Sequence, residues 1–174
     1  HDFEGDRLLN FSADFRAGTG PLLLFAETGL SMPGSWATIA GIRAKPSSRV
    51  TFNLLVRCFT PEYHAFHYGV YKAGAGSGNE TGLAASVHLE AARHLFITAG
   101  ADHYRIPAPR YRSAAPSYGG RVEIRGEYLP RDDLSLRLSY TSSAREYDIP
   151  SETGMASSVT HTRHQAGFVF DFEP

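Results

Sequence analysis

Alternation of apolar and polar residues runs through most of this chain and restricts it to β-structure. In residues 49–59, apolar side chains occupy every second position beginning at Val50. The same period of two recurs in residues 83–89, 122–128 and 134–140. Successive side chains of a β-strand point to opposite faces, so each of these segments has one apolar and one more polar face. No segment shows a convincing helical period, which predicts an all-β fold.

The alternation predicts nine strands, each of roughly nine to thirteen residues. A chain of 174 residues fits one domain, so we expect residues 1–174 to form a single β-domain. The predicted strands begin near Leu8, Pro21, Trp36, Arg49, Thr81, His94, Gly120, Leu134 and Thr160.

The connections between the predicted strands fall into two classes that alternate along the chain. In an antiparallel up-and-down meander, alternate connections lie at opposite ends of the sheet, so one end carries tight turns and the other carries mostly long loops. This asymmetry is typical of outer-membrane barrels. The tight turns are residues 17–20, 45–48, 91–93 and 130–133, and the long loops, rich in Gly, Pro, Ser and Tyr, are 60–81, 105–119 and 142–159.

The strand lengths favour the same interpretation. A tilted strand needs about 9–11 residues to cross a bilayer, whereas strands of soluble proteins more often have about 5–6. We therefore expect a transmembrane β-barrel, or a large part of one, in a bacterial outer membrane. Bacterial single-chain barrels usually have an even number of strands. An odd count predicts that this chain is a fragment of a longer chain or of a larger barrel, completed by further strands or other protein chains.

The two faces of these strands predict two different surroundings. We expect membrane lipid to cover the apolar face and a wet or salt-bridged lumen to lie against the polar face. The lipid-facing candidates are Val50, Phe52, Leu54, Val56, Ile124, Leu136, Leu138, Phe168 and Phe170. The lumen-facing polar candidates are Arg43, Arg57, His88, Glu90, Asp102, Glu123, Arg125, Glu127, Arg137 and Asp171.

Composition excludes several classes of function. Lys and Arg total 17 against 18 Asp and Glu, a balance unlike that of a polybasic protein that binds nucleic acid. We therefore expect no nucleic-acid contact from this segment. The single cysteine, Cys58, excludes an intrachain disulfide and a multi-cysteine metal site. We expect no cofactor.

Histidine pairs are the only metal-ligand candidates, and they are weak ones. His64 and His67 lie in a predicted long loop, and His161 and His164 lie where the last strand begins. Histidine is a common metal ligand, but residues three apart on a strand point to opposite faces. Surface polarity is the favoured interpretation of both pairs.

Catalysis has little support in the sequence. No GxSxG motif is present, and a nucleophile needs a base within hydrogen-bonding reach. Two pairs are worth naming: His88 with Asp102, which share the predicted inner face, and His103 beside Asp102. We favour a polar network in the lumen over a catalytic site.

Three segments in the middle of the chain resemble a known family. They are VRCFTPEYHAFHYGVYKAG (56–74), NETGLAASVHLE (79–90) and DHYRIPAPRYRSAAPSYGGRVEIRGEYLP (102–130). They resemble the C-terminal barrel region of bacterial outer-membrane proteins that carry periplasmic helix-hairpin-helix repeats. This resemblance implies an outer-membrane barrel. It implies no DNA contact here, because the helix-hairpin-helix part is absent from these residues.

These observations predict a structural, anchoring or passage role in the outer membrane, without catalysis. Two alternatives stay open. The first is a soluble β-barrel or sandwich that binds a ligand or a protein partner, which predicts an apolar interior and charges facing water. The second is an outer-membrane barrel hydrolase. The face that points outward distinguishes the first alternative from the membrane interpretation.

Overall fold

Nine β-strands make up the regular structure of the chain. The computed structural model describes residues 9–31, 34–63, 78–109, 113, 116–131, 133–149 and 157–173. The strands are β1 (Asn10–Thr19), β2 (Leu22–Ser31), β3 (Ser35–Ser47), β4 (Val50–Phe59), β5 (Glu80–Ala92), β6 (Leu95–Ile106), β7 (Ser117–Arg131), β8 (Leu134–Ile149) and β9 (Ser157–Phe172). Among the described residues, no helix has the length and apolar character needed to cross a bilayer.

All nine strands form one sheet in the order in which they occur along the chain. Each strand is antiparallel to the next, so the predicted all-β up-and-down meander is confirmed. β1 and β9 are the two edges of this sheet, and in the described residues they are not hydrogen-bonded to each other. Because directions alternate, β1 and β9 run the same way. The sheet is open, as a part of a barrel would be.

The two ends of the sheet differ as the sequence predicts. At one end, which we call the short-turn end, β1–β2, β3–β4, β5–β6 and β7–β8 are joined by two-residue connections. Gly20 and His94 adopt positive φ angles of 50° and 65° in two of these turns. At the other end, the long-loop end, β4–β5, β6–β7 and β8–β9 are joined by longer segments.

One predicted long loop is largely wrong. Residues 142–159 were expected to be irregular, yet β8 continues to Ile149 and β9 begins at Ser157. The two strands pair without a register shift from Leu134↔Phe172 to Ile149↔Ser157. The extra residues carry polar side chains on both faces, so they lack the apolar period of two from which the strands were predicted. The pairing of β8 with β9 nevertheless holds them extended.

Register pairing places the alternating residues of all nine strands on two continuous faces. The apolar face contains one row that crosses the whole sheet: Phe15, Ala26, Ala40, Val56, Leu83, His103, Gly120, Ala144 and Thr162. The polar face contains the adjacent row: Asp14, Glu27, Ile39, Arg57, Gly82, Tyr104, Gly119, Arg145 and His161.

The apolar face is the exposed one. Almost every exposed large hydrophobic side chain of the described residues lies on it, the exceptions being Leu9 before β1 and Ile149, Val159 and Val169 on the polar face. The buried strand residues lie instead on the polar face, toward its long-loop end: Ser31, Ser35, Ala37, Arg57, Phe59, Glu80, Tyr104, Ile106 and Ser117. Within the described residues, the sheet therefore has no extended apolar core of the kind found in a soluble domain.

Strand ends at the short-turn end are staggered. Thr19, the last residue of β1, lies in the same register row as Ala166 of β9. β9 continues to Phe172, which is six residues (172 − 166) or roughly 20 Å further along the strand. A sheet that curls into a barrel needs such a stagger, because its strands tilt relative to the barrel axis.

Candidate functional site

The lipid-facing candidates all lie on the apolar face. Register pairs connect Leu54 to Ala85 on one side and to Ile42 on the other, and Leu138 to Phe168. Val50 and Leu136 are half-buried, while the remaining seven, Phe52, Leu54, Val56, Ile124, Leu138, Phe168 and Phe170, are exposed. That lipid covers them stays a prediction.

The lumen-facing candidates all lie on the polar face. The register brings Asp102 opposite Arg121, Glu127 opposite Arg137, and Arg43 opposite Asn53. They are Arg43, Arg57, His88, Glu90, Asp102, Glu123, Arg125, Glu127, Arg137 and Asp171, and every strand from β3 to β9 carries at least one of them. That this face lines a lumen also stays a prediction.

A buried charge cluster, Arg57–Glu80–Asp102, lies on the polar face near the long-loop end. Arg57 donates from Nε to Glu80 Oε1 over 2.6 Å. Its Nη1 lies 2.8 Å from Asp102 Oδ1, and its Nη2 donates to Asp102 Oδ2 over 3.1 Å. The side chains of Arg57 and Glu80 are 0% and 1% exposed. Paired geometry of this kind compensates the large cost of removing three charges from water.

A glycine on the intervening strand makes this cluster possible. Arg57 on β4 reaches Asp102 on β6 by crossing β5 at Gly82. A Cβ atom at Gly82 would lie 2.5 Å from Arg57 Cζ, so any side chain there displaces the guanidinium.

The same arrangement recurs two strands further on. Tyr104 on β6 lies across Gly119 on β7, where a Cβ atom would collide with the tyrosine ring. The hydroxyl of Tyr104 accepts a hydrogen bond from Nε of Arg145 on β8 over 3.0 Å. Arg145 Nη1 also lies 3.4 Å from the hydroxyl of Tyr147. At Gly82 and at Gly119, a large side chain of the preceding strand thus lies over the glycine that follows it in the row.

Connecting segments cover this end of the polar face. Ser35 Oγ donates to the carbonyl of Glu62 over 3.0 Å. Asn79 and Ala108 exchange two hydrogen bonds, of 3.0 and 2.8 Å, between two different loops. Tyr63 lies against Gly29, and burial, followed by the negative charge of Glu27, raises the pKa of its phenol. These contacts link the described parts of the connecting segments to the sheet and to one another at the long-loop end.

In the other half of the polar face, which we call the open half, the charged side chains are largely exposed to solvent. Glu123 accepts from Arg121 over 2.7 Å and from Arg125 over 3.0 Å, and these two arginine side chains are 57% and 51% exposed. Arg137 Nη2 lies 2.8 Å from Glu127 Oε1. Exposed ion pairs of this type contribute little to stability.

Several predicted associations do not form. His88 lies opposite Thr98 and makes a 3.0 Å hydrogen bond to its hydroxyl, so the candidate pair of His88 with Asp102 does not form. His103 points to the apolar face, away from Asp102, because the two are consecutive on β6. Arg43 and Glu90 form no ion pair within the described residues, and Asp171 accepts a hydrogen bond from Ser135 over 3.3 Å.

The histidines give no metal centre in the part of the chain that the structure describes. His161 pairs with Arg145 on the polar face and His164 pairs with Ser142 on the apolar face, so the two rings point in opposite directions. His64 and His67 lie outside the described residues.

Sequence reasoning missed three members of the polar network: Glu80, Tyr104 and Arg145. Glu80 follows a glycine-rich stretch at a strand start, and Arg145 falls in the predicted loop 142–159. For Tyr104 and Arg145, a usable signal was the glycine that the register sets between them, Gly119.

Comparison of the chain with protein-family models, curated proteins and solved structures finds no match. The resemblance to the barrel region of helix-hairpin-helix outer-membrane proteins therefore stays a prediction.

Proposed function

We propose that this chain forms part of the wall of a bacterial outer-membrane β-barrel, with its apolar face against lipid and its polar face toward the lumen. One observation carries the proposal: an apolar face that continues across all nine strands and presents exposed large hydrophobic side chains on every strand except β6. Soluble monomers rarely expose apolar patches larger than a few hundred Å². In a bilayer, the same face needs no protein partner.

The alternative of a soluble barrel or sandwich fits the burial pattern poorly. Such a protein buries its apolar face and exposes its charges. Here Arg57 and Glu80 are the largest fully buried side chains of the described residues, while Phe168 and Leu138 are more than half exposed. The faces are inverted relative to a soluble β-protein, which supports lipid as the medium around the sheet.

The buried residues of the polar face bear on the role of the barrel. Arg57, Glu80 and Tyr104 are buried toward the long-loop end, while Arg121 and Arg125 further along the face are more than half exposed. The role that we propose is anchoring or structural, or passage along this polar face. We propose no catalytic step: in the part of the chain that the structure describes, His88 bonds Thr98, and the candidate pair of His88 with Asp102 does not form.

A matched pair of substitutions tests which medium surrounds the apolar face. Leu138→Arg places a charge on the apolar face, and Ser139→Arg places the same charge on the polar face one residue away. We expect Leu138→Arg to destabilise the protein folded into lipid vesicles by about 2–4 kcal/mol. Ser139→Arg should change the free energy of unfolding far less, because its side chain meets water.

The native protein provides the accompanying measurement. We expect it to require detergent for extraction from membranes and to migrate on a gel as a compact species that heating converts to a slower one. A protein that stays monodisperse without detergent, and that tolerates Leu138→Arg, contradicts the proposal. The apolar face would then be covered by protein.

A further inference from the structure

On β6 and β7, the apolar face changes from hydrocarbon to polar side chains within two residues. Passing toward the long-loop end, β6 presents Ala99 and Ala101 and then His103 and Arg105. On β7, Ile124 and Val122 precede Gly120 and Tyr118. If lipid covers the apolar face, this step marks the depth at which acyl chains give way to headgroups on the long-loop side. The inference below therefore rests on the proposed function.

The first polar side chains beyond this step form a compact group, which we call the boundary cluster: His103, Arg105 and Tyr118. Arg105 lies directly opposite Tyr118 in the register, with its Cζ 5.9 Å from the centre of the tyrosine ring. The ring of His103 stacks on the same tyrosine, with centroids 6.3 Å apart and planes 17° apart. A guanidinium and an imidazole thus both lie near one aromatic ring on the exposed face of the sheet.

Arg105 carries a charge that the described residues do not pair with a carboxylate. The six ion pairs of the described sheet leave it out. The nearest acidic group in the register is Glu146, whose Oε2 accepts the backbone N–H of Tyr118 over 2.7 Å. At the opposite end of the apolar face, Arg131 is held by Asp133, with Nε and Oδ1 3.3 Å apart. Arg131 therefore already has a carboxylate partner, whereas Arg105 has none among the described residues and can bind an anionic ligand.

We infer that the boundary cluster binds the phosphate group of an anionic lipid in the leaflet on the long-loop side. A guanidinium matches the geometry of phosphate oxygens and forms charge-assisted hydrogen bonds with them. His103 on the same strand supplies a ring nitrogen, and the acyl chains of the same lipid lie along Val122 and Ile124, which are exposed on β7 on the short-turn side of the cluster. The site thus offers a lipid a polar contact and, next to it, an apolar one.

The test uses the full chain in detergent micelles, titrated with phosphatidylglycerol or with zwitterionic phosphatidylcholine, with bound lipid counted by native mass spectrometry. We expect tighter binding of phosphatidylglycerol, and a loss of about fivefold in that affinity for Arg105→Gln, as removal of one interfacial arginine predicts. Tyr118→Leu keeps the apolar area but removes the ring that holds both side chains, and it should weaken binding as well. Arg131→Gln, on the same face at the short-turn end, is the matched control and should bind like the unaltered protein.

The outcomes separate this inference from the proposed function. Equal phosphatidylglycerol binding by the unaltered protein and by Arg105→Gln overturns the boundary cluster as a site, even where heat-dependent gel migration shows an intact barrel. An equal loss for Arg131→Gln also overturns it, since binding would then follow total charge alone. A protein that needs no detergent and binds neither lipid overturns the proposed function together with the inference.

Discussion

The two ends of the polar face use the same residue types in opposite ways. Near the long-loop end, Arg57 is completely buried between two carboxylates and lies over a glycine. In the open half, Arg121 and Arg125 share Glu123 at similar distances but are more than half exposed. The N···O distances of the two sets of ion pairs are similar, but the two sets differ in the exposure of their arginine side chains.

This difference indicates which part of the sheet depends on its ion pairs for stability. A buried ion pair costs desolvation, and its net contribution is small, but removal of one partner leaves an uncompensated charge in a dry site. When an exposed pair is broken, its charges exchange protein contacts for water contacts with little change in free energy. We therefore expect the long-loop end to be sensitive to single substitutions and the short-turn half to tolerate them. Three experiments test this comparison.

The largest effect should come from Arg57→Ala. The substitution leaves Glu80 buried without its 2.6 Å partner and Asp102 without its two contacts, so we expect a loss of about 3–5 kcal/mol in the free energy of unfolding. Urea titration of the folded protein in detergent or vesicles measures it. The control is Arg125→Ala in the open half, where the loss should be at most about 1 kcal/mol. Equal losses for both would remove the distinction between the two ends.

A smaller effect is expected where a glycine accommodates a neighbouring side chain. In Gly119→Ala, the added methyl group collides with the ring of Tyr104 and displaces its bond to Arg145, costing about 1–3 kcal/mol. Gly126→Ala is the matched control on the same strand, since nothing lies within 4 Å of its Cβ position, and its effect should stay within about 0.5 kcal/mol. If the two alanines cost the same, the close packing over Gly119 contributes nothing.

The smallest effect should come from Glu123→Gln, which removes the charge that Arg121 and Arg125 share. We expect a loss of about 0.2–1 kcal/mol at low salt that disappears in concentrated salt, because exposed charges are screened. Glu80→Gln at the buried end sharpens the comparison, since its larger loss should change little with salt. The measurement is the midpoint of urea unfolding at two ionic strengths. A salt-independent effect at Glu123 would contradict the hydrated interpretation of the open half.

Alternation was sufficient to predict the fold because two unlike faces impose a period of two on a strand's sequence. Residues 49–59 and 134–140 show it clearly, and both form the predicted strands β4 and β8. It failed for residues 142–149, where Glu146 and Asp148 on one face and Arg145 on the other are all polar. A strand with two polar faces leaves no periodic signal, so β8 appeared shorter than it is.

The site was harder to predict, since a face is a property of one strand and a contact is a property of two. Parity placed His88 and Asp102 correctly on one face, but the β5–β6 register sets His88 against Thr98 and Asp102 against Ala84. The register also carries Arg57 past Gly82 to reach Asp102, a connection across three strands that no local pattern in the sequence encodes.

The shared direction of β1 and β9 limits how this sheet can be completed. Direct pairing of these edges would create one parallel ladder in a sheet whose eight existing ladders are all antiparallel. A closed ring in which every neighbour is antiparallel has an even number of members, so its remaining part must contribute an odd number. A second copy of this sheet meets that count, since nine is odd, but inserted in the same orientation it would join the first copy through two parallel seams. The direction of two edge strands thus decides between a complementary element and simple duplication.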